Sequence, residues 1–114
     1  MTMHPADAAA RGLQDGDVAR VFNDRGEVLA GVVVSDHIRP GVVELPTGAW
    51  YDPLVPGMIG TLDKHGNPNV LTMDKGTSKL AQGPIAHSAL VEVERFDGEL
   101  PDITVFAPPP IKEP

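Results

Sequence analysis

Cysteine is absent from this 114-residue chain, so neither a disulfide framework nor a thiolate metal site can be built, and the redox compartment stays open. Aromatic residues are scarce, with one Trp, one Tyr and three Phe, so a core has to be assembled from Val, Leu, Ile and Ala. No apolar run approaches the roughly 18–20 residues of a membrane span. No charged-then-apolar leader opens the chain either. The expectation is a soluble domain with no membrane partner. Positive charge is also short: the formal net charge is −7, and no basic run or basic amphipathic stretch offsets it. Nucleic acid is therefore excluded as a partner, because neutralising phosphates calls for a basic face.

What is present reads as one small, strand-rich domain. Valine recurs in Val32-Val33-Val34, Val42-Val43, Val91 and Val93, which favours β-structure. Twelve Gly and twelve Pro predict short elements and many turns. A short helix is expected from His4 to Gly12, with Pro5 at its first position and Gly12 ending it. Val18 to Phe22 and Glu27 to Val34 read as a hairpin across Asn23-Asp24-Arg25-Gly26, with Gly26 free to take a positive φ. Val42 to Leu45 is a third strand, Met58 to Leu62 a brief one and Val70 to Thr72 another short piece. Thr77-Ser78 is placed to cap a helix through Gln82, and Ser88 to Phe96 alternates as the last strand. Residues 97–114 are Pro-rich and expected to be an extended tail outside the core.

Three segments in register carry a family signature: HPADAAARGLQDGDVARVFNDRGEVLAGVVVSDHIRPGVV, then GAWYDP, then KHGNPNVLTMDKGTSKLAQGPIAHSALVEVE. Together they resemble the C-terminal molybdopterin-dinucleotide-binding domain of the dimethyl sulfoxide reductase family, nearest its biotin sulfoxide and trimethylamine N-oxide reductase branch. The resemblance spans His4 to Glu94. It implies a mainly β fold, a small closed six-stranded double-psi β-barrel with short helices. Residues 1–96 would form this barrel, truncated at the N-terminus relative to the family. It also implies molybdopterin guanine dinucleotide as cofactor, with molybdenum ligated by an upstream domain that this sequence does not contain. The remaining domains of a parent S-oxide or N-oxide reductase would be its partners. The chain by itself is expected to be inactive. Both cytoplasmic and periplasmic bacterial relatives exist, so localisation stays open.

Candidate contact residues come from three loops. In HGNPN, Gly66 permits close backbone approach and Pro68 fixes φ between two carboxamides, Asn67 and Asn69. His65 adds a ring nitrogen, and a carboxamide offers donor and acceptor side by side. Residue types alone favour a surface turn there; the resemblance implies contact with the edge of a pterin or guanine. GAWYDP reads alone as aromatic core anchors. The resemblance instead implies that Trp50 and Tyr51 flank the dinucleotide and that Asp52 accepts from a guanine N–H. GTSKLAQG lacks the spacing of a phosphate-binding P-loop. There the bland reading is a capped helix, and the resemblance implies that Gln82 and Gly83 face the cofactor. Asp63 departs from the family pattern, which implies a small uncharged residue at that place. His4, His37 and His87 have no metal-ligand spacing, and His87-Ser88 are strand neighbours on opposite faces, so neither a metal site nor a hydrolase triad is expected. The rival reading is a stand-alone double-psi barrel serving as a small subunit or protein-interaction module.

Overall fold

Pro5 starts a six-residue helix, α1 (Pro5–Ala10), and the His4 ring caps it by accepting from the Ala6 N–H at 3.1 Å. Gly12, at φ +64°, turns the chain out of it. These coordinates come from a computed structural model, which describes residues 1–85 and 88–112. The helix interrupts strands rather than preceding them. β1 (Thr2–Met3) lies before it, and β2 (Val18–Asn23) and β3 (Gly26–Gly31) follow as the hairpin. The turn differs from expectation. Gly26 does not take a positive φ; it pairs with Asn23, and the turn is held by the Asn23 side chain accepting from the Arg25 N–H at 2.9 Å.

After β3 the chain leaves its sheet at Val32 and enters a second one. β4 (Val33–Val34) pairs parallel with β1, and β5 (Val43–Glu44) pairs antiparallel with β1. The last strand, β6 (Glu92–Arg95), returns across a long excursion to pair antiparallel with β2, setting Ala19 opposite Arg95. The result is two three-stranded sheets, ordered β4-β1-β5 and β3-β2-β6. The fold is mainly β, with few helical residues.

The core lies between the sheets. Met1, Met3, Ala8, Leu13, Ala19, Val21, Val28, Ala30, Val32, Leu71 and Val93 are its buried members. On β3 the alternation fails: Leu29 is buried as well as Val28 and Ala30. Its face of the hairpin is covered by the irregular excursion, where Asp63 forms a parallel bridge to Val28. Beyond that covered patch the hairpin is polar. Arg20 reaches its cross-strand partner Glu94 at 2.7 Å and also pairs with Glu27, so Glu94 is a paired group rather than a free one. The guanidinium also lies 4.0 Å over the Phe22 ring.

Three further expected elements do not form. Met58 to Leu62 is a run of turns rather than a strand, Val70 to Thr72 leaves a 3-10 turn (Pro68–Val70) rather than forming a strand, and Thr77 to Gln82 is a closed loop rather than a helix. There the Thr77 hydroxyl donates to the Ala81 carbonyl at 2.6 Å and the Ala81 N–H donates to the Ser78 hydroxyl. These local side-chain bonds satisfy the backbone before helical ones can. His87 lies outside the described residues.

Candidate functional site

The excursion from Pro46 to Val70 is pinned at one buried carboxylate. Asp63 is fully buried, and its two oxygens accept from the Asp52 N–H and the Asn67 N–H, each at 2.7 Å. Its backbone bonds to β3 on either side, donating to Glu27 O and accepting from Leu29 N–H. One residue thus ties the GAWYDP and HGNPN segments together and fastens both to the hairpin. A small uncharged residue there could not hold both N–H groups.

The two segments meet further along. The Lys64 N–H donates to Asp52 O at 2.9 Å. The His65 Nδ1 lies 3.1 Å from the Trp50 carbonyl. A carbonyl only accepts, so Nδ1 carries the proton and the neutral ring keeps Nε2 as its acceptor. Gly66 sits at φ +87°, and a Cβ there would come no closer than 3.7 Å to Leu29 O. The backbone, rather than crowding, asks for glycine. The Asn67 side-chain oxygen caps the following 3-10 turn, Pro68–Val70, by accepting from Asn69 N–H at 2.9 Å. Its amide nitrogen makes no hydrogen bond among the described residues, and the Asn69 side chain is likewise unengaged.

Asp52 is not presented to an open surface. It is buried, and its carboxylate accepts from Thr104 N–H at 2.7 Å, Thr104 Oγ1 at 2.8 Å and Val105 N–H at 3.0 Å. Lys64 Nζ stands 3.5 Å away and donates to Thr104 Oγ1 at 2.9 Å. Burial pushes the Asp52 carboxyl up, but the Thr104 and Val105 hydrogen bonds and the Lys64 charge outweigh it and hold it below its ordinary range. The Pro-rich segment after residue 97 is therefore anchored here. Phe106 lies against Trp50 (ring centroids 6.1 Å) and edge-on to His65 (5.1 Å).

A cavity of about 420 Å³ opens beside this cluster. His65, Gly66, Lys64 and Leu29 line it, as do Leu100, Pro101 and Ile103. Trp50, Tyr51 and Asn67 do not line it. Gln82 and Gly83 are not brought into the cluster. The Gln82 amide nitrogen donates back to Ser78 O and Lys79 O, closing its own exposed loop. No group of acidic and histidine side chains suited to a metal ion occurs among the described residues. Sequence reasoning noted Asp63 only as a departure from the family pattern and passed over Lys64 and the whole Leu100–Phe106 segment. Thr104, within PDITVFAP, offered no local signal of its bond to a residue 52 positions earlier.

Residues 1–90 match the family described as "Molydopterin dinucleotide binding domain". Among curated proteins, a "Dimethyl sulfoxide/trimethylamine N-oxide reductase" from Cereibacter sphaeroides is 55% identical over 107 residues, which is 94% of this chain and 13% of that protein. "Trimethylamine-N-oxide reductase 1" from Escherichia coli strain K12 is 57% identical over 102 residues, 90% of this chain and 12% of that protein. A Rhodobacter capsulatus protein with the same description as the first is 52% identical over 111 residues, 97% of this chain and 14% of that protein. The chain thus spans only a small part of the relatives it matches.

Proposed function

Because this chain belongs to the molydopterin dinucleotide binding domain family, we propose that it clamps molybdopterin guanine dinucleotide within a molybdenum-dependent reductase of S-oxides or N-oxides. The single observation carrying this reading is the His65–Asn67 cluster, held rigid by the buried Asp63 yet leaving hydrogen-bonding groups unspent. His65 keeps an acceptor nitrogen, and Asn67 and Asn69 keep amide donors. That mixed set suits the edge of a flat heterocycle with adjoining donors and acceptors. Gly66 adds backbone that a ligand can approach without meeting a Cβ. The neighbouring cavity, about 420 Å³, is of the size that takes one heterocyclic end of a dinucleotide rather than the whole. When bound, the cofactor supplies the molybdenum chemistry. The residues here bind and orient it, and none of them forms a metal site.

Trp50, Tyr51 and Pro68 belong to the same proposed contact set at one remove, and Gln82 and Gly83 would join it only through a ligand that also reaches their separate exposed loop. Asp52 serves it indirectly, since its oxygens are occupied by the chain's own backbone. The two three-stranded sheets are, in this reading, the walls of a closed double-psi barrel. Support for partner domains comes from an apolar groove of about 480 Å³ lined by Val42, Val43, Leu45, Leu71, Val91 and Val93. Fully exposed Ile59 and Leu80 point the same way. Neither a basic face nor, among the described residues, a helix long and apolar enough to cross a membrane argues for other partners.

The test is a double variant, His65→Ala with Asn67→Ala, in the full-length reductase. Molybdenum and pterin content per polypeptide should fall while the circular dichroism and melting behaviour stay near wild type. Undiminished cofactor content would defeat the reading.

A further inference from the structure

The Leu100–Phe106 segment lies beyond the matched residues 1–90, yet it is docked at its centre with more care than a chain end requires. Three hydrogen bonds from Thr104 and Val105 converge on one buried carboxylate, and Lys64, its side chain almost wholly buried, bridges the two sides. This docking has two consequences for the cavity. Leu100, Pro101 and Ile103 line it together with His65 and Gly66. Phe106 is set edge-on to the His65 ring at 5.1 Å, while the Trp50 carbonyl accepts a hydrogen bond from its Nδ1–H at 3.1 Å. The imidazole is thereby fixed in both rotation and tautomer.

We propose that the Leu100–Phe106 segment is part of the dinucleotide pocket: its apolar residues form a wall against the heterocycle, and Phe106 positions His65 so that Nε2 accepts from a heterocyclic N–H. Asp52 and Lys64 are the latch that holds this wall, and they are positioning residues rather than ligand contacts. The inference rests on the cofactor-binding reading above and extends it to a part of the chain beyond the family model's match over residues 1–90. It also makes a chemical distinction. A ring held with Nε2 as acceptor selects a donor edge, as in the N–H groups of guanine or a reduced pterin, over a carbonyl edge.

The experiment uses the full-length holoenzyme and reads retention of the guanine nucleotide, released per polypeptide over time in mild denaturant. Amide hydrogen exchange of the peptide spanning 100–107 is followed in parallel. Phe106→Ala should release nucleotide roughly fivefold faster, the effect of about one lost aromatic contact. The 100–107 peptide should stay protected, because the Asp52 latch is untouched, and Phe106→Leu should recover part of the retention. Asp52→Asn should lose both protection and retention. If Phe106→Ala and Asp52→Asn retain nucleotide like the wild type while His65→Ala with Asn67→Ala does not, the segment is only a structural end and the inference is overturned. If all of these variants retain it, the inference falls together with the cofactor-binding reading.

Discussion

No Lys or Arg among the described residues pairs with Asp63, and its charge is instead held by two backbone N–H groups. Removing the side chain orphans both donors inside a sealed site, so Asp63→Ala should cost about 2–4 kcal/mol in urea unfolding. Asp63→Asn keeps one acceptor and should cost roughly half of that. Two variants within about 0.5 kcal/mol of wild type would contradict the pinning role. Asp52 behaves differently, because the groups it binds can escape to water when the tail lifts. Its carboxyl is held below the ordinary 3.8 in spite of burial, by Thr104, Val105 and Lys64. A carboxyl that releases its proton more readily when docked stabilises docking above the ordinary carboxylate range, and that stabilisation disappears as pH falls through the lowered value. Docking should thus be complete at neutral pH and be lost in acid. Trp50, the one Trp of the chain, reports it because Phe106 lies against it. Its emission should change on acidification in the wild type. Asp52→Asn should show the acid-like emission already at pH 7. Matching acid titrations in the two proteins would remove Asp52 as the latch.

At the scale of elements, the hairpin turn and the 3-10 turn are in close backbone contact. A Cβ on Gly26 would stand 2.7 Å from Val70 O, and a backbone oxygen cannot step aside as a side-chain end can. Gly26→Ala should therefore destabilise by about 1–3 kcal/mol through overpacking, although its φ is ordinary. Gly66→Ala should be penalised instead through its backbone, at φ +87°, and Gly66→Asn should be the better tolerated of the two, because Asn visits that region more readily. Chemical denaturation of the three variants checks the contrast, and a Gly66→Asn protein less stable than Gly66→Ala would refute it. The elements that sequence reasoning anticipated are those with local causes: α1 from Pro5 and the alanines, β2 and β3 from alternation, β6 from Val91 and Val93. Those it missed are decided by distant partners or by competing side-chain bonds. Thr77 and Ser78 looked like helix caps, but with Ala81 they close a loop, and Gln82 turns inward to finish it. Of the candidate contacts, the meeting of GAWYDP with HGNPN needs Asp63, whose role no local pattern announces. The buried Leu29 needs the excursion that covers it.

The whole molecule is expanded for its length. Its radius of gyration is 15.9 Å, against about 13 Å for a compact chain of this size. Ile59, Leu80, Leu90 and Ile111 are almost wholly exposed. In a full-length reductase those surfaces should be covered. Amide exchange at Val42–Leu45 and Leu90–Val93, which border the apolar groove, should be slower there than in the separate domain. Equal rates would mean that the groove meets nothing. The pairing of β6 with β2, Ala19 opposite Arg95, carries one more consequence. A ribosome making this chain emits every residue of the His65–Asn67 cluster before it emits the strand that ties off the excursion, a lag on the order of seconds at ordinary elongation rates. Through that interval the ligand-reading loop is complete in covalent structure and held only by the bonds of Asp63 to β3. Anything that must be loaded into the fully closed loop has to wait until β6 has been made.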